Sequence, residues 1–207
     1  VVAKVEGLEE NFVSVYARAA REAGLISHHG RGRNAARMTP IDAANLLIAV
    51  NASSLAKNVP KTIQKYSELR RARDGGHYLG ACDVADRISA KGVSFAEALA
   101  QLMETEDERS NVEVLLEAAK DPSFSKLQPH MRSGLKVEFE GPYPAGRIVI
   151  KALSEVGVAQ TPRLINKADF LYIRQAERPL GEIFGDRVQT TSISGLTLRA
   201  VAQVLRT

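Results

Sequence analysis

The sequence contains one cysteine, Cys82, and no tryptophan. A single thiol excludes an intramolecular disulfide, and Cys82 lacks the neighbours of a zinc knuckle. Aromatic residues make up only 5% of the chain, so Leu, Val, Ile and Ala must fill most of the interior. No apolar run approaches the roughly 20 residues that span a bilayer. No signal-peptide pattern is present. Leading residues are expected to be missing ahead of Val1, and a cytoplasmic protein is the expectation. What is left is ordinary globular composition: 207 residues, 44% hydrophobic and 25% charged. That is enough for one large domain or two small ones.

The net charge of +4 is modest but unevenly placed. Residues 1–75 hold 12 Lys/Arg against 7 Asp/Glu, residues 76–133 hold 6 against 10, and residues 134–207 hold 10 against 7. The basic excess lies in the first third, where an anionic partner is expected to dock.

Local patterns predict the elements. Residues 1–7 read as the end of a short helix and a turn. Leu8, Phe12, Val15, Tyr16, Ala19 and Ala23 recur at helical spacing, and Gly24 stands where a helix-terminating glycine belongs. Leu25 and Ile26 read as the start of a short strand. Thr39-Pro40-Ile41-Asp42 is a helix start: a capping hydroxyl, a proline at the first helical position and a carboxylate three residues after the cap. A helix is expected from Pro60 to Arg73, with Asp74-Gly75-Gly76 as a domain boundary. Ser94-Phe95-Ala96-Glu97 is a capping box opening a helix through Met103. Residues 111–120 read as helical and 121–133 as loop. After Gly134 the character changes. "LKVEFE" alternates like a half-buried strand, "GPYPAG" reads as a turn and "RIVIKAL" as the returning strand. "DFLYIRQ" and "RVQTTSIS" are further strand candidates, and Leu196–Leu205 has helical spacing. The fold class is α+β.

The stretch that carries most functional information is "GLISHHGRGRNAARMTPIDAANLLIAV", residues 24–50. Gly30-Arg31-Gly32-Arg33-Asn34-Ala35 fits a dinucleotide-loop spelling. That loop works only between a strand and a helix, whereas here a helix precedes it and the next helix starts too late. Adjacent His28 and His29 do not chelate well together, and no cysteine pair supports them. Two readings remain: a solvated basic loop with no nucleic-acid role, and a winged helix-turn-helix. Residues 1–7 end its first helix and Leu8–Ala23 form its second. The basic segment forms a wing whose Arg31, Arg33 and Arg37 reach phosphates or the minor groove. Ala3 and Gly7 have the small-residue spacing of the bend between the two helices.

"REAGLISHHGRGRNAARMTPIDAANLLIAV" resembles the wing-plus-helix segment of winged helix-turn-helix proteins of the MerR-like kind. In these, "GLI", a basic wing and a Thr-x-x-Asp helix start follow one another. It is also similar to short prophage-encoded proteins. The resemblance covers about the first 70 residues and implies DNA binding. Asn11, Ser14, Arg18 and Arg21 would lie on the exposed helix face, and His28, His29, Arg31, Arg33, Asn34 and Arg37 in the wing. Glu9 and Glu10 depart from the pattern by opening the recognition helix with negative charge. They can complement the helix N-terminus or accept from cytosine amino groups.

Other candidates are weaker. "ELRRAR" (residues 68–73) reads as a basic helix end or a second phosphate contact, and "ETEDER" (104–109) as a solvated acidic helix end. Cys82 with His77 lacks a strained nucleophile turn or an orienting partner. Tyr143 and Tyr172 are candidates for an interaction surface or for packing.

The sequence therefore predicts a non-enzymatic, sequence-specific DNA-binding regulator of the phage or prophage type, with no cofactor, metal or membrane partner. Residues 1–74 would form the winged helix-turn-helix, 75–133 a helical linker or oligomerisation region, and 134–207 an α+β domain for self-association or partner binding. A homo-oligomer is expected, with a dimer favoured, because one helix-turn-helix reads few base pairs. The alternatives are a DNA-packaging protein resembling a small terminase subunit and a protein adaptor that does not bind nucleic acid.

Overall fold

A computed structural model describes residues 1–27, 38–72, 83–106, 134–153, 164–174 and 189–206. Among these are seven α-helices and one five-stranded sheet. The helices are α1 (Val2–Glu6), α2 (Glu10–Glu22), α3 (Pro40–Ala52), α4 (Val59–Ser67), α5 (Asp83–Ser89), α6 (Phe95–Glu106) and α7 (Gly195–Leu205). The strands are β1 (Arg70–Arg71), β2 (Leu135–Gly141), β3 (Ala145–Leu153), β4 (Leu164–Ile173) and β5 (Gln189–Ser194). The sheet order is β1-β4-β3-β2-β5, and every pairing is antiparallel.

Register places one apolar face toward the helices. Val137 sits opposite Ile148 on β3 and Ile193 on β5, and Ile148 sits opposite Phe170 on β4. All four are buried. The alternate residues carry charge. Arg147 on β3 makes a bidentate pair with Asp169 on β4, with both bonds at 2.7 Å, and approaches Glu138 on β2 at 3.8 Å. This period-two alternation is what the sequence shows in "LKVEFE".

Helix α3 runs through the middle of the core. Ala43, Ala44, Leu46, Leu47, Ile48, Ala49 and Val50 are all buried. It is apolar nearly all round because it is covered on several sides, by α2, α4, α6, α7 and the sheet. One cluster of buried side chains extends from Val2 to Ala202. Residues of the N-terminal, middle and C-terminal segments thus share a single core.

Both capping boxes form. The Thr39 hydroxyl accepts from the Asp42 N–H at 3.2 Å, and Asp42 Oδ2 accepts from the Thr39 N–H at 3.0 Å. At α6, the Ser94 N–H donates to Glu97 Oε2 at 2.7 Å and the Glu97 N–H donates to Ser94 Oγ at 3.2 Å. The strand candidates after Gly134 are present within the described residues, at 135–141, 145–153, 164–173 and 189–194, and so is the C-terminal helix.

Three local readings need correction. The helix predicted to reach Arg73 ends at Ser67. Leu69 turns into the core, and Arg70–Arg71 pair with Ile173 and Tyr172 as an edge strand. Leu25 and Ile26 form a bend instead of a strand. The Leu25 N–H closes the end of α2 on the Ala20 carbonyl at 2.9 Å, and its own carbonyl accepts from Asn45 Nδ2 at 2.8 Å. The turn of the β2–β3 hairpin is shorter than "GPYPAG", because Ala145 and Gly146 already pair with Glu140 and Phe139. Of the two readings open for Tyr172, packing is the one observed: it has no exposed surface, and its hydroxyl donates to the Ile88 carbonyl at 2.5 Å. The readings at residues 74–76, His77, Cys82, 111–120 and 121–133 lie outside the described residues.

Candidate nucleic-acid interface

The candidate interface is built on α1, α2 and the start of α3. Helix α1 ends at Gly7, whose φ of +66° is left-handed. That conformation lets the Leu8 N–H bond back to the Ala3 carbonyl at 2.8 Å and turns the chain into α2. Ala3 is buried, as close helix approach requires.

Helix α2 is amphipathic. Tyr16, Ala17 and Ala20 are buried, and Phe12 and Val13 pack against the core. Asn11, Ser14, Arg18 and Arg21 are all exposed. At about 100° per residue these four fall within an arc of about 80°, so the helix presents them on one face. Among the described residues neither Arg18 nor Arg21 forms an ion pair. Glu10 lies in the first turn, where its charge complements the helix N-terminus. Glu9 is the N-cap residue and makes no side-chain capping bond.

Acid and base are not fully separated along α2: Glu9 and Glu10 open the helix, and exposed Glu22 closes it beside Arg21. Glu9 and Arg21 are twelve residues apart, or roughly 18 Å along the axis. That is about twice the screening length at physiological salt. Glu9 therefore weakens the field at Arg21 very little.

The wing residues His28, His29, Arg31, Arg33, Asn34 and Arg37 lie outside the described residues. The two ends of their segment are described, and one side chain fixes both. Asp42 Oδ1 accepts from the Ser27 N–H at 2.9 Å while Oδ2 accepts from the Thr39 N–H. The sequence reveals the Thr39 half of this clamp through the capping box. It gives no signal for the Ser27 half, which spans 15 residues. Burial alone would raise the Asp42 pKa, but the backbone and side-chain hydrogen bonds from Thr39 and Ser27 outweigh it and hold the carboxyl below its ordinary 3.8.

This clamp makes a stability prediction. Asp42→Ala leaves the Ser27 and Thr39 N–H groups without their acceptor, and so removes half of the capping box, which is expected to cost about 2 kcal/mol. Because the folded pKa is depressed, the contribution is present in full above the unfolded pKa and is lost as pH falls through the folded one. Urea titrations of wild type and variant should show a constant gap from pH 8 to about 5 that closes below about pH 4. A gap that persisted undiminished at pH 2 would show that the carboxylate is not its source.

Of the other basic candidates, Arg70 and Arg71 are occupied within the chain, and Arg73 lies outside the described residues. Arg70 Nη1 donates to the Ser67 and Leu69 carbonyls. Arg71 Nη1 donates to the Ser89 carbonyl at 3.3 Å, and its guanidinium lies over the Phe170 ring, 5.6 Å from the centroid. These contacts serve the end of α4 and the sheet edge. Sequence reasoning also missed Asn51, whose amide donates to Glu6 Oε2 at 3.1 Å and so ties α1 to α3. Burial raises the Glu6 pKa above its ordinary value, and the Asn51 bond opposes that shift.

Comparison with known protein families, with curated proteins and with solved structures finds no match.

Proposed function

We infer that this protein binds double-stranded DNA in a sequence-dependent manner through α2, as a transcriptional regulator of the phage or prophage type. The observation that carries the inference is the outward face of α2. Asn11 and Ser14 offer side chains that hydrogen-bond to base edges, and Arg18 and Arg21 follow on the same face with charge for phosphate. The segment 28–37, with Arg31, Arg33 and Arg37, begins six residues after α2 ends and is tied at both ends to α3 through Asp42. A helix for the groove and a basic arm beside it are the parts of a winged helix-turn-helix.

The reading is tested by pull-down of random duplex fragments followed by sequencing. Enrichment of one short motif is the expected result, and Asn11→Ala should relax the base preference at one position of that motif. Retention of duplexes with no enrichment would reduce the function to non-specific DNA binding. No retention of any duplex at low salt would overturn it.

A further inference from the structure

The two edges of the sheet are built differently. One edge is β1, a strand of two residues, both arginines. A short, charged edge is a poor template for another strand. The other edge is β5, which among the described residues pairs with β2 alone. It runs for six residues, Gln189-Thr190-Thr191-Ser192-Ile193-Ser194, without charge or proline. Its register with β2 is continuous, so no bulge twists it away. Gln189, Thr190 and Ser192 are exposed. In an antiparallel ladder alternate residues turn their N–H and C=O away from the partner, so β5 presents an unused row of both.

The side chains of β5 say what can occupy that edge. Ile193 is buried toward the helices, so Gln189 and Thr191 share its face, and Thr190, Ser192 and Ser194 share the other. Directly opposed residues of an antiparallel pair point to the same side of the sheet. A second β5 laid antiparallel about a two-fold axis at Thr191 obeys this. It sets Thr191 against the partner's Thr191, Thr190 against the partner's Ser192 and Gln189 against the partner's Ile193. Threonine facing threonine or serine is a favourable cross-strand pair. Neutral meets neutral throughout, whereas a charged strand would find no counter-charge on β5. Each copy uses the same edge, and only the short β1 edges are left, so the assembly closes at two. We propose that β5 is a dimer interface, at which two copies of this chain join edge to edge and their sheets become one.

Sedimentation velocity on the full chain tests this, and the wild type is expected to sediment as a dimer at about 50 µM. Thr190→Lys/Ser192→Lys sets lysine against lysine across the axis, where like charges repel. Within one copy these positions face Glu140 and Glu138, so the fold should be kept, with an unchanged circular dichroism spectrum. The dissociation constant should rise by about tenfold or more. Thr190→Lys/Ser192→Glu instead sets opposite charges across the same axis and should dimerise at least as tightly as the wild type. Glutamate at position 192 is tolerable within one copy, because Glu138 already has Lys136 at 2.7 Å and Arg147 at 3.8 Å. The proposal is overturned by a monomeric wild type, which would leave the edge to a strand of another protein, or by an assembly larger than two. It is equally overturned if the lysine pair leaves the dimer as tight, or if the lysine–glutamate pair weakens it as much as the lysine pair does. It does not rest on DNA binding, since both positions lie outside α2, and either can fail without the other.

Discussion

Phe95→Ala lowers the unfolding free energy by about 4 kcal/mol, the range for removing a buried phenylalanine. Phe95 is fully buried at the start of α6. Its ring lies 5.6 Å from that of Phe139, edge-on at 85°, 5.4 Å from Tyr172 and 5.8 Å from Tyr66. In a chain with so few aromatic residues these four rings are concentrated where α4 and α6 meet the sheet. Their neighbours cannot collapse freely into the space the ring leaves. Tyr66 is held by a hydrogen bond from its hydroxyl to the Glu140 carbonyl at 2.7 Å, and Tyr172 by its bond to Ile88. Urea denaturation should show a large fall in midpoint at nearly constant slope. A loss below about 1 kcal/mol would mean the site repacks, and that these rings do not hold the helices to the sheet.

The second large effect comes from adding a single methyl group. Gly146 sits on β3 between Phe139 and Tyr172 on the flanking strands, directly beneath the Phe95 ring. A Cβ built there would lie 2.4 Å from Phe95 Cε2 and 2.5 Å from Cδ2. Glycine in a strand is usually a liability, and Ala in its place commonly gains about 0.5–1 kcal/mol. Here the clash dominates. The ring is enclosed by three others, and its backbone is pinned by the Phe95 N–H bond to the Leu69 carbonyl at 3.2 Å. Gly146→Ala is expected to destabilise by about 3 kcal/mol, the upper end of the range for overpacking. The two sites must couple. Gly146→Ala in a Phe95→Leu background should cost at least 1 kcal/mol less than in the wild type. Additive effects would place the strain of Gly146→Ala somewhere other than Phe95.

These two residues also show how far the sequence can be read. The boxes at Thr39–Asp42 and Ser94–Glu97 are legible because each is closed within four residues. The β2–β3 hairpin is legible because its apolar alternation and its turn are both local. The α2 face is legible in the same way, since Asn11, Ser14, Arg18 and Arg21 are the polar complement of a periodic apolar stripe. Arg70–Arg71 read as a basic helix end because a two-residue strand has no pattern of its own. Its partner, β4, comes roughly a hundred residues later. Gly146 reads as a turn glycine since it stands close to Gly141, Pro142 and Pro144. Its actual role, as the floor of a socket for Phe95, exists only once α6 lies on the sheet. The second bond of Asp42 is likewise a product of tertiary packing.

The most direct test of the account is the salt dependence of duplex binding by the wild type and by an Arg18→Ala/Arg21→Ala double variant. Both arginines are exposed and lie on the outer face of α2, so circular dichroism melts of the two proteins should coincide. Each phosphate contact releases counterions and contributes about −0.9 to the slope of log K against log salt. Fluorescence anisotropy with a labelled duplex, between 50 and 200 mM salt, should give a slope shallower by about 1.8 in the variant. An unchanged slope and affinity, with the fold intact, would contradict the placement of α2 against DNA.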